Sequence, residues 1–394
     1  MSEAIFVVNA GSSSIKFKLY RVADRDLTLV LGGALDGIGT RPRLRVKDAT
    51  GATLVDTVYA PADIGTPSQA QFVISDWVTP HLAAFELIGI GHRVVHGGPI
   101  YSHPVLVNDE VLHRLESFIP LAPLHQLTNL DPIHVIRERR PDLPQVACFD
   151  TAFHRNHPEV ADRFALPDEL YQEGVRRYGF HGLSYEYVAG ALREVAPALA
   201  RGRVVVCHLG SGASACGLLD GRSMDSTMGF TALDGLPMGT RCGALDPGVV
   251  LHLIEQRNMS AAEVGRMLYH DSGLKGLSGL SSDMRELLAS DAPAAALAVD
   301  YFTLHVAQAV AQLAVSLGGL DALVFTAGIG EHAPEIRARI GAHLGFLGVV
   351  LDPAANSAGK TWIDADGPGP RVLVIPTDEE RMVALATLSL LRPL

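Results

Sequence analysis

The chain has 394 residues, of which 48% are hydrophobic and 19% charged, and a formal net charge of −11. That composition fits a globular protein and excludes intrinsic disorder. The negative balance argues against non-specific nucleic-acid binding, although a local arginine cluster can still hold an anion. At roughly 100–200 residues per domain, the length predicts two or three domains.

The opening segment "MSEAIFVV" is acidic and lacks the cationic start of a signal peptide. No run of about 18 apolar residues is present. The most apolar stretch, "LHVAQAVAQLAVSLGG", is interrupted by His305, Gln308 and Gln312 and reads as a buried helix. These features predict a cytoplasmic protein with no membrane partner. The four cysteines at 148, 207, 216 and 242 form no CxxC pair, and are expected to be small core residues.

In chain order, residues 4–20 come first. An apolar run enters "NAGSSS", after which Ile15, Phe17 and Leu19 alternate with Lys16, Lys18 and Tyr20. A period of two marks a strand, so this is a hairpin with a Gly/Ser turn. In a P-loop or a Rossmann unit, by contrast, the glycine turn opens a helix. Exposed backbone N–H groups and hydroxyls in such a turn suit phosphate oxygens, and Lys16 follows the turn. Next, "GHRVVHGG" (91–98) is an apolar strand ending at His92, Arg93 and His96. The planar fork of an arginine placed there suits a carboxylate or phosphate. A helix capped by Asp109 carries Val111, Leu112, Leu115 and Phe118 on its apolar face.

"VACFDTAFH" (146–154) is a buried-type strand that ends in Asp150. A carboxylate there is costly unless it meets solvent, a cation or a metal. "RRYGFHG" (176–182) sets His181 between aromatic residues and glycines. The stretch "VVVCHLGSGASACGLLDG" (204–221) then repeats the opening hairpin. Asn9, Gly11 and Ser12 match His208, Gly210 and Ser211 at an offset of 199. Self-similarity at half the chain length predicts two related lobes. Their boundary falls near residue 150.

Arg241 lies in the Gly-rich loop "MGTRCGALDPG", ahead of a helix opened by Asp246-Pro247. "SAAE" (260–263) is a capping box. A long helix runs over 292–317 and stops at Gly318-Gly319. Residues 321–331 read as a strand entering a glycine-rich turn, with a helix from Pro334. "GPGP" (367–370) is a loop, "RVLVIP" a strand, and "DEERMVALATLSLL" the closing helix. The order gives a mixed α/β chain.

The segments "NAGSSSIKF", "GHRVVHGG", "FDTAFH", "RRYGFHG", "HLGSGAS", "STMGFTALDGLPMGTR", "SSDMR", "GIGEH" and "PTDEE" resemble those of the acetate kinase family, in the same order and over nearly the whole chain. The resemblance implies two duplicated ribonuclease H-like lobes with a nucleotide cleft between them, as in sugar kinases, Hsp70 and actin. Residues 1–150 with the helix 380–394 would form the carboxylate and phosphate side, and 151–379 the nucleotide side. It also implies a homodimer that uses ATP, acetate and Mg²⁺, with Mn²⁺ as a substitute.

Roles carry over by position. Asn9 and Glu379 would help hold the metal, and Lys16 would approach the ATP phosphates. His208, Leu209, Gly210, Ser211 and Gly212 would cradle phosphate. Asp283, Met284 and Arg285, with Gly328, Ile329, Gly330, Glu331 and His332, would surround the adenosine. Arg93 would bind the carboxylate substrate. Asp150 is the family's acidic catalytic residue, while His181 and Arg241 would stabilise the transferring phosphoryl group.

The chain departs from the usual pattern at Ser211, Leu183-Ser184-Tyr185, Ala244, Met284 and His332. None of these removes a charged group of the core set, so they bear on nucleotide preference and substrate range more than on reaction class. Within the class, a propionate or other short-chain carboxylate kinase is the neighbouring alternative. Outside it stands an actin- or Hsp70-like nucleotide switch, which needs nucleotide contacts but no carboxylate site.

Overall fold

The computed structural model describes every residue except Ser12, Arg25, Pro123, Leu124 and Leu394. The expected match of Ser12 to Ser211 therefore lies outside the described residues. The chain forms two units, Met1–Phe153 with Asp378–Leu394, and His154–Thr377. It parts after Phe153, where the sequence suggests 150.

In the first unit β1 (Ser2–Ala10) pairs antiparallel with β2 (Ser14–Ala23). β3 (Asp26–Asp36), β4 (Arg43–Asp48) and β5 (Thr53–Val58) extend that side as a meander. On its other side β1 runs parallel to β6 (Phe85–Val94). The short β7 (Val105–Leu106) and β8 (Gln145–Phe149) complete the order β5-β4-β3-β2-β1-β6-β8-β7. β8 is buried throughout, as a central parallel strand must be.

The second unit repeats this plan with fewer strands. β9 (Arg203–Leu209) pairs antiparallel with β10 (Ala213–Leu219), which pairs with β11 (Arg222–Ser226). β9 also runs parallel to β12 (Ala322–Thr326), which runs parallel to β13 (Arg371–Val374). The order β11-β10-β9-β12-β13 copies β3-β2-β1-β6-β8, including the direction of every pairing. The duplication read from one short match thus extends to the whole second sheet and to five strands of the first.

Two glycines in β6 fix where the closing helix Glu379–Leu391 lies. A methyl at Gly91 would sit 2.4 Å from Thr387 Oγ1 and 2.6 Å from Val383 Cγ1, and one at Gly89 would sit 2.5 Å from Leu391 Cδ1. Only glycine permits so close an approach, and it brings Glu379 and Glu380 to the end of the sheet. In the second unit the helix Pro293–Leu317 ends at Gly318, whose φ of 71° is left-handed. This helix is long and apolar enough to cross a membrane by length and composition. Half of its most apolar window is nevertheless buried in the protein, as in a core helix.

Two local readings need correction. The helix Asp109–Ser117 is capped by Asn108, whose side chain accepts from Val111 N; Asp109 is its first residue. Both residue types cap well, so composition alone does not choose between neighbours. The glycine-rich stretch after β12 is a short helix, Ala327–His332, rather than an open turn.

Candidate active site

In the first unit, β6 ends by presenting Arg93 and β8 by presenting Asp150. Asp150 is only 1% exposed, so its charge needs a partner. Arg93 provides it in a bidentate pair, Nε to Oδ1 at 2.8 Å and Nη2 to Oδ2 at 2.5 Å. Arg93 Nη1 also donates to Asn9 Oδ1 at 3.1 Å. A guanidinium has five N–H groups. These three bonds leave one on each of Nη1 and Nη2. The sequence expects this residue to hold the substrate carboxylate. The fork's side edge is in fact filled by Asp150, and the spare N–H groups lie on the terminal nitrogens.

Asn9 passes the contact on, since its Nδ2 donates to Glu380 Oε1 at 3.0 Å. Glu380 Oε2 lies 3.5 Å from Lys18 Nζ, which donates to Asp378 Oδ1 at 2.6 Å. Glu379 Oε2 lies 3.8 Å from Arg93 Nε. Lys16 is exposed and sits opposite Asn9 in the hairpin register. Burial pushes the Glu380 carboxyl up, but Lys18, Lys16 and Asn9 together overcome it and hold the group below its ordinary range. Burial likewise opposes the charge on Arg93, and Asp150 and Glu379 outweigh it, so the guanidinium stays firmly protonated.

The cluster thus sets Lys16, Lys18 and Arg93 against Asp150, Asp378, Glu379 and Glu380. Among the described residues no group of three His, Cys, Asp or Glu is arranged to hold a metal ion. Hard oxygen donors with a surplus carboxylate still suit Mg²⁺, which takes one or two protein oxygens and completes its shell with water and substrate phosphates. Asn9 and Glu379 fit that demand.

Sequence reasoning missed the residues that hold this cluster in place. Asn129, 2% exposed, donates to Ala10 O at 2.5 Å and accepts from Val95 N at 2.8 Å. It therefore fastens the ends of β1 and β6, next to Asn9 and Arg93. Lys18 was visible only as the second lysine of an alternating strand. Its role depends on the closing helix, 360 residues away.

In the second unit, the tight turn after β9 is closed by Gly210 N bonding Gly212 O at 3.0 Å. His181 stands over it in the left-handed region, with φ 58°. A methyl at Gly212 would lie 3.3 Å from His181 Nε2. The ring stacks on His208, with centroids 4.2 Å apart, and its Nδ1 meets Ser214 Oγ at 2.8 Å. His208 Nδ1 meets Ser184 Oγ at 2.8 Å. The Ser184 hydroxyl thus holds the second imidazole.

Below His181, His154 Nε2 donates to Phe180 O at 2.9 Å, and Gly179, with φ 72°, packs against the His154 ring. Burial lowers the His154 pKa to about 4, so the ring is neutral.

The Arg241 loop joins the same turn, because Gly239 N bonds Ser211 O at 3.2 Å. Arg241 Nη1 donates to Ala232 O at 3.0 Å. Gly273 makes the loop's approach possible. Its φ is 61°, and a methyl there would sit 2.1 Å from Met238 O.

The residues expected around the adenosine differ in exposure. Asp283 caps the helix Met284–Leu288 and pairs with Arg285 at 2.5 Å. Met284 is 3% exposed, whereas the Arg285 side chain is 90% exposed. Ser282, beside them, reaches Gly239: its O would lie 3.2 Å from a methyl there. After β12, Glu331 turns inward and accepts from Ala327 N at 2.8 Å and Thr377 N at 3.2 Å. His332 points outward, its side chain 80% exposed. The fully buried Arg337 donates to Gly330 O, Glu331 O and Asn356 O at 2.8, 2.9 and 2.8 Å. It is a further residue that the motifs did not reveal, and it fixes Gly328 to His332 from below.

The sequence model of the Acetokinase family matches residues 4–385. An acetate kinase of Nitrobacter hamburgensis is 56% identical over 99% of this chain and 96% of its own. A solved propionate kinase of Francisella tularensis has 37% identity and a TM-score of 0.89, covering 98% of this chain and 99% of its own. A solved acetate kinase of Porphyromonas gingivalis has 34% identity and a TM-score of 0.86, covering 99% and 100%. With a match over nearly its full length and sheets of duplicated topology, the chain belongs to the acetokinase family.

Proposed function

We propose that this protein transfers the γ-phosphoryl group of ATP to acetate, reversibly, giving acetyl phosphate and ADP. The observation that carries the reading is the pair of part-buried Arg93 with buried Asp150, with N–H groups left on both terminal nitrogens of the arginine. A carboxylate can accept both. Asp150 orients the guanidinium and balances its charge, acting as a positioning group rather than a base.

Acetate is ionised at neutral pH, so no proton has to be removed. An acetate oxygen forms the new bond to the γ-phosphorus, the bond to the β–γ bridging oxygen breaks, and its electrons leave with ADP. Such a transfer is catalysed by placement and by charge neutralisation. Lys16 offers an exposed cation for the phosphates. The 208–212 turn offers backbone N–H groups, while His181 and Arg241 donate to the equatorial oxygens. Asp283, Met284 and Arg285 with Gly328 to His332 form the adenosine side. Bound Mg²⁺ would supply neutralisation of phosphate charge, with Asn9 and Glu379 as its protein oxygens. The same reading includes a homodimer in the cytoplasm.

Trapping with hydroxylamine tests it. Purified protein is given Mg-ATP and, separately, acetate, propionate or butyrate. A strong acyl hydroxamate signal with acetate is expected. The ratio among acids ranks their fit, which differs modestly because one methylene is worth only about 1–3 kcal/mol. ATP binding without hydroxamate from any acid would overturn the proposal and favour a nucleotide switch.

A further inference from the structure

The β1–β2 hairpin has a second face. Its register pairs Asn9 with Lys16, and Val8 with Phe17. Neighbouring residues of a strand point to opposite sides. The candidate active-site residues are therefore on one face, and Val8, Ile15 and Phe17 on the other. Those three are packed core side chains, and they underlie the floor of a groove of about 420 Å³ within the first unit. The helices Pro67–Leu82 and Gln126–Arg139 form its walls, through residues such as Val78 and Ile136.

Two features make this more than a packing fault. Among the described residues no carboxylate lines the groove, although acidic residues outnumber basic ones in the chain by 43 to 32. Two arginines do line it, Arg139 and Arg140, both exposed and neither in an ion pair among the described residues. In addition Gln71 is among the lining residues, and its Nε2 is buried without a hydrogen-bond partner among the described residues. A buried donor is costly unless something accepts from it. The volume is in the range of small-molecule sites, which combine apolar walls with a few polar groups.

We infer that this groove binds an aliphatic carboxylate with a longer chain than acetate, its tail between the helices Pro67–Leu82 and Gln126–Arg139 and its head on Arg139 and Arg140. Two guanidinium forks select a carboxylate over a neutral or cationic head group. Because the floor is the reverse side of the strands that carry Asn9 and Lys16, occupancy is placed to alter the position of those residues.

Trp77 reports on the groove, since its ring lies 6.5 Å from that of Phe17. The chain has two tryptophans, so Trp362→Phe leaves Trp77 as the single emitter. Sodium octanoate is titrated against octylammonium chloride and octanol, with no ATP present. Saturable quenching or shift by octanoate is expected, with affinity weakened about tenfold or more in the Arg139→Ser/Arg140→Ser variant. Both sites are exposed, so this variant folds. Equal responses to octanoate and octylammonium, an unchanged affinity in the double variant, or no saturable response would each overturn the site. The readout needs no turnover, so its failure leaves the proposed phosphoryl transfer untouched.

Discussion

The two glycine-turned hairpins occupy the same place in their sheets and carry opposite chemistry. In the first, Asn9 faces Lys16 across the strands, and in the second His208 faces Ser214. Asn9 bridges Arg93 and Glu380, inside a set of charges. His208 stacks on His181 and bonds Ser184, inside a set of imidazoles and hydroxyls. The turns differ as well. Ala10 pairs with Ile15 in one, Leu209 with Ala213 in the other, so the second turn is one residue shorter. The offset of 199 that aligns Asn9 with His208 becomes 198 on the returning strand. The one-residue difference is taken up within the turn, so Asn9–Lys16 and His208–Ser214 remain equivalent facing pairs. One scaffold thus carries a set of opposed charges in one copy, and stacked imidazoles with hydroxyls in the other.

The largest expected effect breaks the charged copy alone. Asp150→Asn keeps the shape of the Arg93 partner and removes its charge. We expect kcat to fall on the order of 10²–10³-fold, with no new titration in the pH profile, since Asp150 takes no proton. A near-normal kcat would remove Asp150 from the mechanism.

Acid should act on both copies through buried imidazoles. Burial lowers the pKa of His92 in the first unit to about 4, and that of His157 in the second to about 2, from 6.5. A depressed pKa means that the unfolded chain binds the proton first. The stability tied to His92 is therefore complete above pH 6.5 and is lost as pH falls towards 4, to the extent of about 3 kcal/mol. Urea midpoints measured across that window should drop. His92→Gln should flatten the slope, and a slope unchanged in that variant would contradict the assignment.

Next come the hidden fasteners, one in each unit. Asn129→Ala strands Ala10 O and Val95 N, and Arg337→Leu strands the carbonyls of Gly330, Glu331 and Asn356. Each should cost about 2–3 kcal/mol of unfolding free energy. Thermal or chemical denaturation reads the loss. Values below about 0.5 kcal/mol would show that these residues do not hold the sites.

The smallest effect separates the two turns. A methyl at Gly212 meets His181 Nε2 at 3.3 Å, while one at Gly11 meets Ser14 O at 3.1 Å. Gly212→Ala should lower kcat several-fold with little change in stability, because an imidazole can yield. Gly11→Ala presses on backbone, and should lower the thermal midpoint as well. Identical profiles for the two would erase the distinction.

Much of this was legible in the residues. Period-two alternation around Lys16 and the Gly/Ser turns exposed both hairpins, and Arg93, Asp150 and His181 stood out at strand and loop ends. What could not be read was long-range. Lys18 gains its role from Asp378 and Glu380, Asn129 from Ala10 and Val95, and Arg337 from Asn356. None of these contacts leaves a local pattern, because each depends on how sheet and helix pack. The choice of Asn108 over Asp109 as cap, and of a helix over a turn after β12, were local ambiguities that packing resolved.

The most direct test of the divided chemistry is the steady-state kinetics of Arg93→Lys against both substrates. Lysine keeps the charge but loses the fork. The account predicts that KM for acetate rises about tenfold or more while KM for ATP stays within about twofold. A rise in the ATP value matching that for acetate, or an unchanged acetate value, would contradict it.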